Sequence, residues 1–463
     1  MHGYWKHSSL CYELQDFLKT GGGEPAEYHC EHVSISNRIV TRDDASRSNG
    51  FFPHFINNDA AGLLYGHRYT RTDHCRDQGT HPIPQVIVWS TVMKARKYQK
   101  RVAHFLLIPE LLYSPPNHAI ITTWIDLGFQ VHIFSPGNIE KATSYGNNVV
   151  THQIEYTMRW LIRNAVRKFW FSISCFSGTS EDPLAVVGAL AYIYRRPSFL
   201  LVDEIRAGAY RGNSPERWKQ LSRWSMRRSN FNIVNDFSRI DLLREYAQLP
   251  AKAKVIVYPG CFFRPPVPDR ELRPTLRRQW NLPADSLIIA SSGGFNLKLG
   301  ADWLIQSLID DKSLHAVIQP LGISPLAYFL LKQLNLDDRL YLQEKRMSWS
   351  DAWQSAVGFD IGMAVYTDRA PQFQNMGISS NRLCMFIAMG VPVICSRQKS
   401  FEFVEKFSCG VMVETYTEFM DAIHYIRDNL DFMRSNCRTA LHEYIMYPDR
   451  YSNLKSSIAE LVS

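Results

Sequence analysis

Residues 101–135 read RVAHFLLIPELLYSPPNHAIITTWIDLGFQVHIFS. Within them 103–108 is a buried-strand run, and 109–117 reads as a loop. Ile120, Ile121, Trp124 and Ile125 then fall on one face of a helix, because apolar residues three and four apart meet on a 3.6-residue period. Gly128 ends that helix, and 130–134 is a second strand. A strand, a helix and a strand with short connections require a parallel pair.

The alternation continues downstream. Strands are expected at 168–176, 199–202, 232–234 and 254–258, with a helix opening at Ser180-Glu-Asp-Pro183 and another carrying Trp218, Leu221 and Trp224. Ser238 and Asp241 have capping-box spacing for a helix running through Tyr246. The segment 264–274 is rich in Pro and Arg and separates this half from a second one. Beyond it, strands fit 287–291, 316–319, 339–343, 360–365 and 391–395. Helices fit 301–309, 325–334, 348–356, 382–389 and 418–429, and 435–463 is a helical tail. The expected fold class is α/β, with two Rossmann-like doubly wound domains facing a central cleft. The expected division is an N-terminal extension over 1–100, a first domain over 101–266, a second over 267–440 and a returning helix over 441–463.

Composition fits that architecture. Hydrophobic residues are 45% and charged residues 21% of 463, the range of chains that bury a core. No run approaches the roughly 20 apolar residues of a membrane helix, and residues 1–18 lack the continuous apolar block of a signal peptide. Nine cysteines without a repeated spacing argue against a disulfide framework and for a reducing cytoplasm. The +8 net charge is spread along the chain, so it draws no stripe for nucleic acid. No Asp-x-Asp and no Gly-x-x-x-x-Gly-Lys-Ser/Thr occurs, which removes the usual metal–diphosphate ligands and the common NTPase loop. His29, Cys30, His32, His74, Cys75 and His81 fit no standard zinc spacing.

Four stretches, in order, carry a resemblance. They are RWKQLSRWSMRRSNFNIVNDFSRIDLLREY (217–246), KVIVYPGCFFRPP (254–266), SSGGFNLKLGADWLIQSL (291–308) and the segment 360–392 ending SSNRLCMFIAMGVP. Together they resemble the retaining GT-B glycosyltransferases of family four: the helix–strand–helix closing the first domain, the hinge, the phosphate loop and the donor-binding helix. The resemblance implies a first domain for a glycan or lipid-linked acceptor and a second for a nucleotide-diphosphate sugar. It also implies glycosyl transfer to a hydroxyl with retention, without metal or other cofactor, and a C-terminal helix crossing back. Such chemistry serves polysaccharide biosynthesis.

The site residues follow from strand ends and helix starts. Gly293 and Gly294 after a strand let amides approach an anion, with Asn296 beside them, and Lys298 neutralises a departing diphosphate. The family has an arginine near this point, and its lysine–glycine pair is adjacent; here Leu299 intervenes before Gly300, and Arg264 or Arg382 is left to supply the charge. Gly377, Ile378, Ser379, Ser380, Asn381 and Arg382 open the donor helix, where free amides and the positive helix end suit phosphate. The family's Glu-x7-Glu falls on Gly377 and Met385, so either the donor ribose is held differently or the site is degenerate. Asp203 and Glu204 follow a strand and take the catalytic role of proton acceptor or sugar ligand, beside Lys298. His118, in a rigid Pro-Pro loop, reads as structural. Two rivals remain open: a GT-B scaffold acting as a binding subunit, and a nucleotide-sugar epimerase. The basic run Lys94, Arg96, Lys97, Lys100 and Arg101, with Trp89, Met93 and Tyr98, would suit peripheral contact with an anionic membrane face.

Overall fold

The structure, a computed structural model, describes residues 100–463 except 138, 140–142, 206–215, 335–337, 346, 369 and 448. The extension over 1–99, with the zinc-like His and Cys residues and Lys94, Arg96 and Lys97 of the basic run, lies outside the described residues. The described residues belong to one compact unit, 95–463.

Two parallel sheets organise it. Seven strands, β1 (Arg101–Phe105), β2 (Gln130–Ser135), β3 (Val149–Gln153), β4 (Ile173–Thr179), β5 (Ser198–Leu201), β6 (Phe231–Val234) and β7 (Val255–Val257), stand in the order β3-β2-β1-β4-β5-β6-β7. Six more, β8 (Leu287–Phe295), β9 (Leu314–Ile323), β10 (Leu340–Leu342), β11 (Ile361–Ala364), β12 (Val393–Ser396) and β13 (Gly410–Val413), stand in the order β10-β9-β8-β11-β12-β13. In each sheet the order reverses beside the first strand, β1 or β8, and ligands of doubly wound sheets bind outside the carboxyl ends at such a switch point. The central strands are buried on both faces: Val102, Ala103, Phe105 and Ile288, Ile289, Ala290 are each 0% exposed, as sheets covered by helices on both sides require.

Several expectations need correction. The helix after β1 begins at Pro115, not beyond Asn117, because Pro115 and Pro116 fit its first turn, where no amide partner is needed. The strand expected at 168–176 starts at Ile173; Lys168–Ser172 is a 3-10 turn that turns Trp170 into the core and leaves Phe171 exposed. Ser238 makes no capping box. Asp236 Oδ1 accepts both the amide (2.8 Å) and the hydroxyl (2.5 Å) of Ser238 instead. β3 and β13 have no counterpart among the expected strands. The six described cysteines, at 175, 261, 384, 395, 409 and 437, are buried and unpaired.

The C-terminal helix, Arg450–Glu460, packs on the Pro115–Asp126 helix of the first sheet. Leu454 and Ile458 join that core, Lys455 reaches Asp126 at 3.0 Å, and Tyr451 stacks on Phe263 with centroids 4.0 Å apart. No helix among the described residues is long and apolar enough to cross a membrane.

Candidate functional site

Where β8 leaves the second sheet, the backbone is shaped by three glycines. Gly293 and Gly294 are still in β8, paired with Pro320 and Gly322 of β9 across a register shift. The strand therefore runs past Ser291, and the turn is Asn296–Gly300. Gly293 has φ +89°, and a Cβ there would lie 3.3 Å from Arg382 Nη2. Gly300 has φ +75°, and a Cβ would meet Met363 at 2.5 Å. Both positions combine a left-handed backbone with crowding, which only glycine accommodates without strain.

Arg382 lies under this loop. It is the second residue of the helix Asn381–Ala388, only 9% exposed, and its Nη2 donates to the carbonyl of Gly294 at 2.8 Å. The guanidinium carbon lies 5.7 Å from the ring centre of Tyr366, whose hydroxyl meets Ser380 Oγ at 2.6 Å. Nη1 is buried without a hydrogen-bond partner, and no carboxylate pairs with Arg382 among the described residues. Burial pushes its pKa down, with Tyr366 opposing. Arg264, the other residue suited to supply charge, lies over the Phe263 ring at 5.6 Å.

Lys298 sits in the turn with its side chain 63% exposed, and its Nζ lies 3.1 Å from Asp368 Oδ2. The turn is pinned to the segment after β11, since the Thr367 amide donates to the Lys298 carbonyl and the Thr367 hydroxyl to the Leu297 carbonyl, each at 2.9 Å. Asn296 leaves its side-chain oxygen buried and unpartnered beside the loop.

The loop 377–381 is built differently from a row of free amides. Gly377 N–H donates to Ser400 Oγ (3.1 Å), Ile378 N–H to Asp236 Oδ2 (2.8 Å), Ser379 N–H to the Met376 carbonyl (2.8 Å) and Ser380 N–H to the Gly377 carbonyl (3.3 Å). Those four amides are engaged within the protein and do not stand open to phosphate, which corrects that part of the reading. Ser380 Oγ caps the helix by accepting the Leu383 amide at 3.3 Å. Asn381 Oδ1 is buried and unpartnered against Gly260, where a Cβ would lie 2.3 Å from it.

Across the cleft, Asp203 ends the run from β5. Its Oδ1 accepts from Ser180 Oγ at 2.9 Å and from the Glu204 amide at 3.0 Å. Burial, and then the charge of Glu204, push its pKa up to about 6, against the pull of Ser180 and Arg239. Ser180 has φ +70°, a left-handed backbone on a non-glycine residue directly after β4, and such strain concentrates at functional positions. The Asp203 carbonyl accepts from Arg239 Nη1. Arg239, 3% exposed, also donates to the carbonyls of Asn375 (2.9 Å) and Gln372 (3.1 Å). It thereby joins the two halves and lies in electrostatic reach of Glu204 and Tyr366.

Beneath the first half's edge runs a buried network. His104 Nε2 meets Asn117 Oδ1 at 2.9 Å, Nδ1 meets Ser177 Oγ at 2.8 Å, and Thr179 donates to the same Asn117 oxygen at 2.6 Å. Asn117 in turn donates to Ser114 Oγ, which donates to the Leu111 carbonyl. His104 is therefore neutral with its proton on Nε2, and burial lowers its pKa to about 4. His118 bonds Tyr145 at 2.8 Å and stacks on Phe263, which packs the hinge.

Asp203 and Glu204 thus stand just beyond the carboxyl end of β5 in one half, and Gly293, Gly294, Asn296, Lys298 and Arg382 gather at the carboxyl end of β8 in the other. Sequence reasoning missed Ser180, Asp236, Arg239 and Tyr366. Only Asp236 had a local signal, as an Asp two residues before a helix-opening Ser. Among the described residues no group of three His, Cys, Asp or Glu is arranged to hold a metal.

No family model matches the sequence, and no curated protein does. Solved structures do match. HepE of Anabaena in complex with UDP superposes at TM-score 0.56 and 14% identity, over 78% of this chain and 100% of its own. Sucrose-phosphate synthase of Thermosynechococcus elongatus gives 0.60 and 12%, over 78% and 99%. A glycosyltransferase of Rickettsia africae gives 0.58 and 13%, over 78% and 99%. At these identities the likeness is one of fold, and the fold is GT-B.

Proposed function

We propose that the chain is a glycosyltransferase that moves a hexosyl group from a nucleoside-diphosphate sugar to a hydroxyl of a glycan or lipid-linked acceptor. The observation that carries this reading is Arg382: a buried guanidinium with one nitrogen unpartnered and no carboxylate beside it, under a glycine-lined strand end at the switch point. A buried unpaired cation is costly, and an oxyanion in the cleft would complete it. The HepE structures with UDP and UDP-glucose support a nucleoside-diphosphate donor for this fold.

In this reaction the bond from the anomeric carbon to the diphosphate oxygen breaks, and the bond to the acceptor oxygen forms. Arg382 and Lys298 stabilise the charge gathering on the departing diphosphate, a preorganised electrostatic role. Gly293, Gly294 and Asn296 line its path. Asp203, with a pKa raised to about 6, is the acceptor for the hydroxyl proton near neutral pH. Glu204 is the candidate to hydrogen-bond the transferred sugar. Retention of configuration and independence of metal are part of the proposal, resting on the family resemblance and on the cationic leaving-group site. A reducing cytoplasm suits six buried, unpaired thiols.

Calorimetric titration with UDP, GDP and UDP-glucose tests the donor. Arg382→Gln should weaken the nucleotide that binds by about ten- to a hundredfold, the scale of a charged hydrogen bond. Equal affinity in mutant and wild type defeats the assignment.

One second reading has its own observation. Gly377 and Met385 stand where carboxylates would grip a ribose, and the amides of 377–380 are internally bonded. A donor site emptied in this way makes the chain a partner subunit on a GT-B scaffold. Absence of heat with every nucleotide and nucleotide sugar favours it; binding with product formed when no acceptor is present points to an epimerase.

A further inference from the structure

Between Glu155 and Glu181 the chain carries no acidic residue, but it carries Arg159, Arg163, Arg167 and Lys168. The helix Met158–Asn164 opens this stretch, capped by Thr157 Oγ1 accepting the Trp160 amide at 3.0 Å. Its inner face is spent on the core through Leu161 and Asn164. Its outer face is not polar. Met158, Ile162 and Val166, four residues apart, are 43%, 67% and 81% exposed, and the arginines at 159, 163 and 167 run alongside one residue on.

The face continues onto a second element. Phe171 is exposed and packs its ring edge-on against Tyr194 at 5.0 Å, and its carbonyl accepts from Arg196 Nη2 at 3.2 Å. The Tyr194 hydroxyl donates to the carbonyls of Ala165 and Arg167. That ties the end of the helix Glu181–Tyr194 to the strap after Asn164. Tyr192 and Ile193, both more than half exposed, and Arg195 and Arg196 stand at this end, and Arg228 lies over the Tyr192 ring at 5.3 Å.

We propose that this face, from Met158 to Phe171 with Tyr192 to Arg196, docks on the surface of an anionic lipid bilayer. Contiguous exposed apolar side chains mark an interaction site. Bases interleaved with them along a short exposed segment suit a headgroup layer, where the apolar stripe enters the acyl boundary and the guanidinium groups stay among lipid phosphates. The absence of any carboxylate over 156–180 leaves this attraction unopposed within the segment. The face lies apart from the diphosphate loop, so it goes beyond the nucleotide-sugar reading and stands without it.

The test is flotation of the full chain with vesicles of phosphatidylcholine, with and without phosphatidylglycerol. The wild type should float with the anionic vesicles and fall back as salt rises. The triple variant Arg159→Gln/Arg163→Gln/Arg167→Gln should lose at least tenfold in partitioning, since each base near an anionic leaflet is worth roughly fivefold. Ile162→Ser/Val166→Ser should weaken binding at high salt as well as low. Because all five side chains are exposed, melting temperatures should match the wild type, and a variant that melts early is replaced by its single substitutions. Wild type left unbound by anionic vesicles overturns the proposal, as does flotation of the arginine variant equal to wild type. Neither result bears on nucleotide binding.

Discussion

Asp236 Oδ2 accepts the amide of Ile378 at 2.8 Å, so a carboxylate just after β6 holds the loop that opens the site helix of the other half. The contact is close. Gly377 stands at φ +44°, and a Cβ there would lie 1.9 Å from the same carboxylate oxygen. Arg239, three residues on from Asp236, fastens the neighbouring carbonyls of Gln372 and Asn375. The two halves are thus joined by one anion on an amide and one cation on carbonyls, both buried.

Gly377→Ala should therefore cost about 2–4 kcal/mol, combining left-handed strain with overpacking. Urea unfolding measures it. Asp236→Ala in the same chain should recover part of the loss, because the two residues share one contact. Strict additivity in the double variant would show that the clash is relieved elsewhere.

Asp360 answers three arginines. Arg277 Nη2 (2.6 Å) and the Ile288 amide (2.8 Å) meet Oδ2, while Arg273 and Arg434 (2.7 Å) meet Oδ1. Asp360→Asn leaves buried cations facing one another and should destabilise the fold by about 3–5 kcal/mol. The loss should appear in thermal unfolding without a matching change in nucleotide affinity, since Asp360 precedes β11, at the end of the sheet away from the switch-point loop.

His104 sets a pH limit. Its pKa is about 4 when folded, lowered by burial, against 6.5 in the unfolded chain. Its contribution is complete above pH 6.5 and is lost as pH falls toward 4, because only the unfolded chain takes up the proton. The linked change is about 3 kcal/mol. His104→Gln should remove that part of the pH dependence, read from urea midpoints at pH 7 and pH 4.5, even though it lowers stability at both.

Asp203 acts in the opposite sense. With its folded pKa raised to about 6 from 3.8, its charged form is disfavoured in the fold. Stability from this group is present at acid pH and lost as pH rises through that interval. As proton acceptor it needs the charged form, so the transfer rate should climb between pH 5 and 7. Asp203→Asn should abolish that limb. A wild-type profile flat over the interval removes Asp203 from the reaction.

Chelation checks the leaving-group assignment. On the proposed role of Arg382 and Lys298 in holding the diphosphate, EDTA should leave transfer intact, and Lys298→Ala should weaken donor binding by about 1.5–3 kcal/mol with little change in melting temperature. Activity lost to EDTA and restored by manganese or magnesium would contradict this. Because the mostly exposed Lys298 pairs with Asp368 at 3.1 Å, Asp368→Asn should remove that pairing and change donor affinity too.

The doubly wound pattern was legible because buried parallel strands and amphipathic helices write different periods into a chain. β2, β5 and β6, and the helices from Ala301 and Pro325, stand where apolar spacing puts them, while β1 starts two residues before its expected run and ends at Phe105. The pattern failed where exposure breaks it. β3, VVTHQ, is an edge strand with no fully buried residue, so no apolar run announces it. Phe169, Trp170 and Phe171 resemble a strand, but a 3-10 turn sends Trp170 inward and Phe171 to solvent.

The candidate site divides in the same way. Gly293, Gly294, Asp203 and Glu204 could be placed near strand ends from local signals; the structure keeps the two glycines inside β8 and sets Asp203 just beyond β5. Arg239 is an ordinary helix residue by sequence, and Arg382, named there at a helix start and as a candidate charge, carries no sequence sign of its burial. What makes them matter is burial at a junction of segments more than a hundred residues apart for Arg239, and beneath a strand end 88 residues away for Arg382. A short-range pattern records which face of an element is apolar. Which buried cation lacks a counter-charge depends on every group that packs around it, and only the assembled chain sets that.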